Sequence, residues 1–131
     1  MKTFLTIAAS TFLIAAGTSA ADAQARGGHL SVQGSGGRGL NAFRSINRQP
    51  SSVAATRSVQ TNGGRGLTTT RGGSWSNGVY SGGATHTTNN GTTWGRSTSA
   101  IANPNGGRSF NSTVTGPAGS SATVSGSTGP Q

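Results

Sequence analysis

The side chains of this chain that could do chemistry are nine arginines, two histidines, one tyrosine and many serine and threonine hydroxyls. The one carboxylate is Asp22 and the one lysine is Lys2, both near the amino terminus, and there is no cysteine. Acid–base catalysis at neutral pH draws on Asp, Glu, His, Lys, Tyr or Cys. From Arg26 onward, only His29, His86 and Tyr80 remain. A serine nucleophile needs a base held in place by a third group, and there is neither a Gly-x-Ser-x-Gly elbow nor a carboxylate to orient a histidine. Two histidines alone do not complete a zinc site, and calcium sites need carboxylates. Gly34, Gly36 and Gly39 spell Gly-x-Gly-x-x-Gly, but without the following helix and acidic residue of a dinucleotide site. The expectation is a protein that is not an enzyme and carries no cofactor and no metal.

The positive signal is arginine set in glycine. Arg26-Gly-Gly, Gly37-Arg38-Gly39, Gly64-Arg65-Gly66, Arg71-Gly-Gly, Gly95-Arg96 and Gly107-Arg108 place permanently charged forks on flexible backbone. Such forks match phosphate, sulfate and carboxylate geometry. With no acid to neutralise them, they favour a salt-sensitive, largely sequence-independent attraction to polyanions. Arg38, Arg65, Arg71, Arg96 and Arg108 are the candidate contacts. The pattern resembles RGG-type nucleic-acid-binding tails, and that resemblance implies binding to phosphate backbones. For an exported chain the expected partners are anionic polysaccharide, lipopolysaccharide or extracellular nucleic acid. Trp75, Tyr80, Trp94 and Phe110, spaced at roughly one per expected strand, are candidates for stacking on rings or for packing between hairpins.

Export follows from the amino end. Lys2, the 13-residue apolar stretch Phe4–Ala16 and the small residues up to Ala-x-Ala at 21–23 and 23–25 have the order of a secretory signal. The apolar stretch is too short to cross a bilayer as a helix, and no second one follows, so no integral membrane segment is expected after cleavage. The expected division is a helical signal segment over residues 1–25, a Gly/Arg-rich disordered segment with a linker over 26–57, and a Gly/Thr/Ser-rich hairpin region over 58–131. The Ala-Asp-Ala-Gln-Ala junction resembles Gram-negative export signals, which suggests periplasm, cell surface or medium.

The elements that must position these residues are weakly encoded. Of the 106 residues from Arg26 onward, 54 are Gly, Ser or Thr and 13 are Leu, Ile, Val or Phe. That apolar share lies under the roughly 20% below which a chain seldom buries enough surface to fold. Residues 31–44 nevertheless match residues 58–71 at nine of 14 positions, an offset of 27. Turn pairs recur at Asn62-Gly63, Asn77-Gly78, Asn90-Gly91, Asn105-Gly106 and Ala118-Gly119, and Asn-Gly favours type I′ hairpin turns. Between them lie strand-like runs: Leu67–Trp75, Val79–Thr88, Thr92–Ile101, Phe110–Thr115 and Ser121–Ser125. Asn41–Thr56, interrupted by Pro50, reads as linker. The expected fold is a β-prone low-complexity repeat protein, with short antiparallel hairpins in 27–28-residue units and substantially disordered or irregular elsewhere.

Three functions are compatible with this reading. The first is an exported structural or binding protein of the cell envelope or extracellular matrix, contacting anionic polymers through arginines. The second is a cationic Gly-rich antimicrobial protein. The third is a self-associating subunit: the polar, turn-punctuated runs are similar to those of curli-like functional amyloid, without a matching repeat signature.

Overall fold

In a computed structural model of the chain, residues 24–129 are described. The signal segment lies outside the described residues except for Gln24 and Ala25, which open the first strand. Eight strands follow one another: β1 Gln24–Gln33, β2 Gly39–Gln49, β3 Ser52–Thr61, β4 Gly66–Ser76, β5 Val79–Thr88, β6 Thr93–Ala102, β7 Arg108–Thr115 and β8 Ser121–Thr128. They form one antiparallel sheet in sequence order, each strand paired with the next. This corrects the expectation of a substantially disordered or irregular chain. The linker expected over Asn41–Thr56 is most of β2, the start of β3 and the turn between them. Pro50 sits with Ser51 between Gln49 and Ser52, in a turn where its fixed φ is an asset.

The turns explain why so Gly-rich a chain holds a register. Asn77 and Gly78 are both left-handed, with φ of 49° and 74°, as a type I′ turn requires. The other three Asn-Gly pairs do not follow that expectation. Their loops span Thr61–Arg65, Thr88–Thr92 and Asn103–Gly107, and Gly116–Ser120 matches them. In each, the fourth residue donates its N–H to the carbonyl of the first, at 2.9–3.1 Å, and only that fourth residue, always Gly, is left-handed. These are type I turns closed by a left-handed Gly bulge, the usual three-residue hairpin loop.

The 27-residue repeat acts at the loop end of the sheet. Asn62 donates its backbone N–H to the Gly39 carbonyl at 3.0 Å and its Nδ2 to the Gly37 carbonyl at 3.2 Å. One repeat later, Asn89 donates its N–H to Gly66 at 3.1 Å and its Nδ2 to Gly64 at 3.0 Å. Each loop is thereby tied to the loop before it. A Cβ on Gly66 would come within 2.6 Å of Asn89 Oδ1, so a larger residue displaces the Asn89 amide that ties the two loops. The next loop carries Pro117 at the equivalent place, which has no N–H to donate, and the series stops there.

The sheet is one layer thick. Substantial contacts between strands link sequence neighbours only, and no side chain among the described residues is buried. Because strands alternate up and down and their number is even, β1 begins and β8 finishes at the same end, with the loops at 34–38, 61–65, 88–92 and 116–120 at the other.

If the loop series sets register, Gly66→Ala should displace the Asn89 amide and lower stability in urea by about 1 kcal/mol, the worth of one lost hydrogen bond. Gly28→Ala, with open space where the methyl would go, should be neutral or stabilising by about 0.5 kcal/mol.

Candidate functional site

Directly opposed residues on antiparallel strands share a face, so the register divides every strand residue between two surfaces. One surface holds Leu30, Val32, Ile46, Val53, Val59, Leu67, Val114 and Val124 and all four candidate aromatics. It also holds all seven strand arginines: Arg26, Arg44, Arg48, Arg57, Arg71, Arg96 and Arg108. The opposite surface is almost wholly Ser, Thr, Gly, Asn, Gln and Ala, with Phe43, Val79, Ile101 and His29 as exceptions. Period-two alternation thus sorts charge and bulk together, away from the small hydroxyl residues.

On the arginine face the aromatics lie along the sheet surface. Trp75, Tyr80, Ala100 and Phe110 are opposed in turn across β4 to β7. Trp75 and Tyr80 have ring centroids 6.3 Å apart at 36°. The Tyr80 ring lies over Gly73 and Gly82, and the Phe110 ring over Gly126, filling space that those glycines leave. Such aromatic cover compensates for the packing that glycine withholds from a strand. Trp94 sits elsewhere, stacked on His86 at 5.3 Å and 16°, while Thr69 Oγ1 and His86 Nδ1 are 2.9 Å apart in a hydrogen bond. The aromatics pair locally without making an interior: Trp75 remains 52% exposed.

Arginines line several hollows on this face. One, about 590 Å³, is bordered by Arg26, Arg44 and Arg48 with Gln24 and Ile46. Another, about 750 Å³, is bordered by Arg71 and Arg96 with Val53, Trp75, Tyr80 and Thr98. A further one, about 570 Å³, is bordered by Arg44, Arg57 and Arg71 with Ala55, Thr56 and Thr69. Arg71 belongs to the last two. Of the arginines singled out from sequence, Arg71 and Arg96 therefore share a hollow. Arg65 is in the Thr61–Arg65 loop and borders a separate hollow with Arg57, Val59 and Leu67. Arg38 lies in the loop before β2, and Arg108 opens β7 at the far end of the sheet, so the structure does not bring either to the hollows.

Arg44 and Arg57 were not singled out, because the span between them reads as linker. The signal that finds them is Pro50-Ser51 as the centre of a hairpin: residues equidistant from a two-residue turn oppose one another, which pairs Arg44 with Arg57.

Among the described residues no group of three or more His, Cys, Asp or Glu is placed to hold a metal ion, and no helix is long and apolar enough to cross a membrane. No protein-family model matches the chain, and neither curated proteins nor solved structures yield a match.

The ring cover over glycine predicts unequal costs for truncating neighbouring aromatics. Tyr80→Ala should lower stability in urea by about 1–2 kcal/mol, and Trp75→Ala, the more exposed partner, by about 0.5 kcal/mol.

Proposed function

We propose that this chain is an exported envelope or matrix protein that binds anionic polymer, polysaccharide or lipopolysaccharide, along the arginine face of its sheet. The observation that carries the reading is the placement of seven arginines and the aromatics on one surface, with no acidic residue among the described residues to neutralise them. A sheet with an apolar face normally buries it against another element. Here the partner has to satisfy guanidinium groups as well as cover aliphatic and aromatic side chains, which favours an anionic polymer over a neutral surface. The reading includes no catalytic step. Signal cleavage after Ala23, one of the two junctions that the sequence favours, leaves β1 whole.

Retention on immobilised heparin or lipopolysaccharide is the test. Binding should weaken steeply with salt, by about tenfold or more between 50 and 200 mM for several ionic contacts. A combined Arg44, Arg57, Arg71 and Arg96→Gln variant should lose far more retention than Arg38→Gln. Retention that is independent of salt, or equal in the two variants, counts against the arginine face.

A second reading, self-association, is favoured by the open edges. β8 has no charged residue and no proline, and its outer backbone groups have no strand to pair with. Since β8 runs antiparallel to β1, the β1 edge of another copy continues the sheet in the same sense with the arginine faces on one side. Sedimentation of concentrated protein should reveal assembly, and Val124→Lys, a charge on the edge strand, should suppress it while leaving heparin retention intact.

A further inference from the structure

We infer that Arg44, Arg57 and Arg71 form a site for a doubly charged phosphate ester, set apart from the other arginines of the sheet by the direct opposition of Arg44 and Arg57. The inference rests on the polyanion reading above and narrows it to one position and one chemical group.

Arg44 on β2 and Arg57 on β3 are directly opposed. Side chains so placed start about 5 Å apart on one face, and like charges there are unfavourable. Arg71 on β4 opposes Ala55, two residues from Arg57, so it approaches from the diagonal position at about 7 Å. Three permanently charged forks from three consecutive strands therefore border one hollow of about 570 Å³. The register places no other arginine directly opposite an arginine. The arginines make no hydrogen bond to protein side chains there, whereas Arg26 donates to Gln24 Oε1 at 3.0 Å. Thr69, directly opposite Arg57, is held by its hydrogen bond with His86, which fixes the wall of the hollow.

The chemistry of the guest follows from the charge and the shape. A carboxylate or a sulfate ester brings one negative charge to three cations, whereas a phosphate monoester brings up to two and accepts bidentate contacts from more than one fork. Such a group relieves the repulsion between Arg44 and Arg57 and bridges three strands at once. It should stabilise the sheet as it binds, because it prefers the folded register over the unfolded chain.

The sign of two effects tests the inference. The chain is unfolded thermally in chloride buffer, then in buffers of matched ionic strength containing glucosamine 1-phosphate, glycerol 3-phosphate or glucose 6-sulfate. Either phosphate ester should raise the wild-type midpoint more than chloride or the sulfate ester does. The two phosphate arms distinguish a saccharide-borne group from a lipid-type headgroup by which ester binds more tightly. In chloride, Arg57→Gln should raise the midpoint, because it removes the cross-strand repulsion. It should also weaken phosphate-ester binding about tenfold or more. Arg44→Gln should reproduce both effects, and Arg57→Lys, which keeps the charge and loses the fork, should weaken binding without raising the midpoint. Arg108→Gln, at the end of the sheet, should do neither. Equal loss of ester binding in Arg57→Gln and Arg108→Gln, or a lower midpoint in both Arg57→Gln and Arg44→Gln, would overturn the site. If heparin retention persists in that case, only this site fails. If wild-type protein does not bind heparin, the polyanion reading fails with it.

Discussion

A sheet one layer thick has two surfaces and no interior, and that constraint governs the rest of this molecule. Cohesion comes from backbone hydrogen bonds between consecutive strands, each contributing on the order of 1 kcal/mol net. Side chains add cross-strand pairs such as Thr98 with Ser112 at 3.0 Å and Thr113 with Thr123 at 2.9 Å. Leu30 and Val124 stay 57% and 63% exposed. Glycine and hydroxyl residues are tolerated widely because none of the described side chains lies in a buried interior. The same constraint leaves every aliphatic and aromatic group, and every strand arginine, on view to a partner.

The places where sequence reading and structure part company share one cause. The expectation of disorder came from counting apolar residues, which measures the capacity to form a buried core. The strands here are specified by other means: Thr and Val in alternation, left-handed glycines at fixed places in the loops, and asparagines that tie one loop to the next. The runs Val79–Thr88 and Ser121–Ser125 lie within observed strands because Asn-Gly or Ala-Gly marks their limits. β2 and β3 are hard to see in the sequence because a proline inside a run signals an interruption, whereas Pro50 is the corner of a turn. That corner sets both the hairpin and the Arg44–Arg57 pair. Loop type was also only partly legible, since Asn-Gly serves a type I′ turn at 77–78 and a longer bulged loop at 90–91.

Segregation of the two surfaces has an electrostatic side. Had the arginines been distributed equally, each surface would carry a dilute charge that counterions screen with ease. Gathered on one surface, they add to one another over distances comparable to the Debye length of about 8 Å in physiological salt. The hydroxyl surface meanwhile stays neutral. If a polyanion binds as proposed, it meets a molecule with a preferred orientation, and the hydroxyl surface is left facing outward.

The even strand count has one more consequence. The outer ends of β1 and β8, Gln24 and Thr128, lie at the same end of the sheet, opposite the four loops. Those loops vary in sequence, Gly34–Arg38, Thr61–Arg65, Thr88–Thr92 and Gly116–Ser120, while the strands that carry them keep one geometry. The arrangement is that of a comb held by its spine: the outer ends of β1 and β8 share one side, and a tooth that is exchanged must keep the asparagine or glycine that ties it to its neighbour.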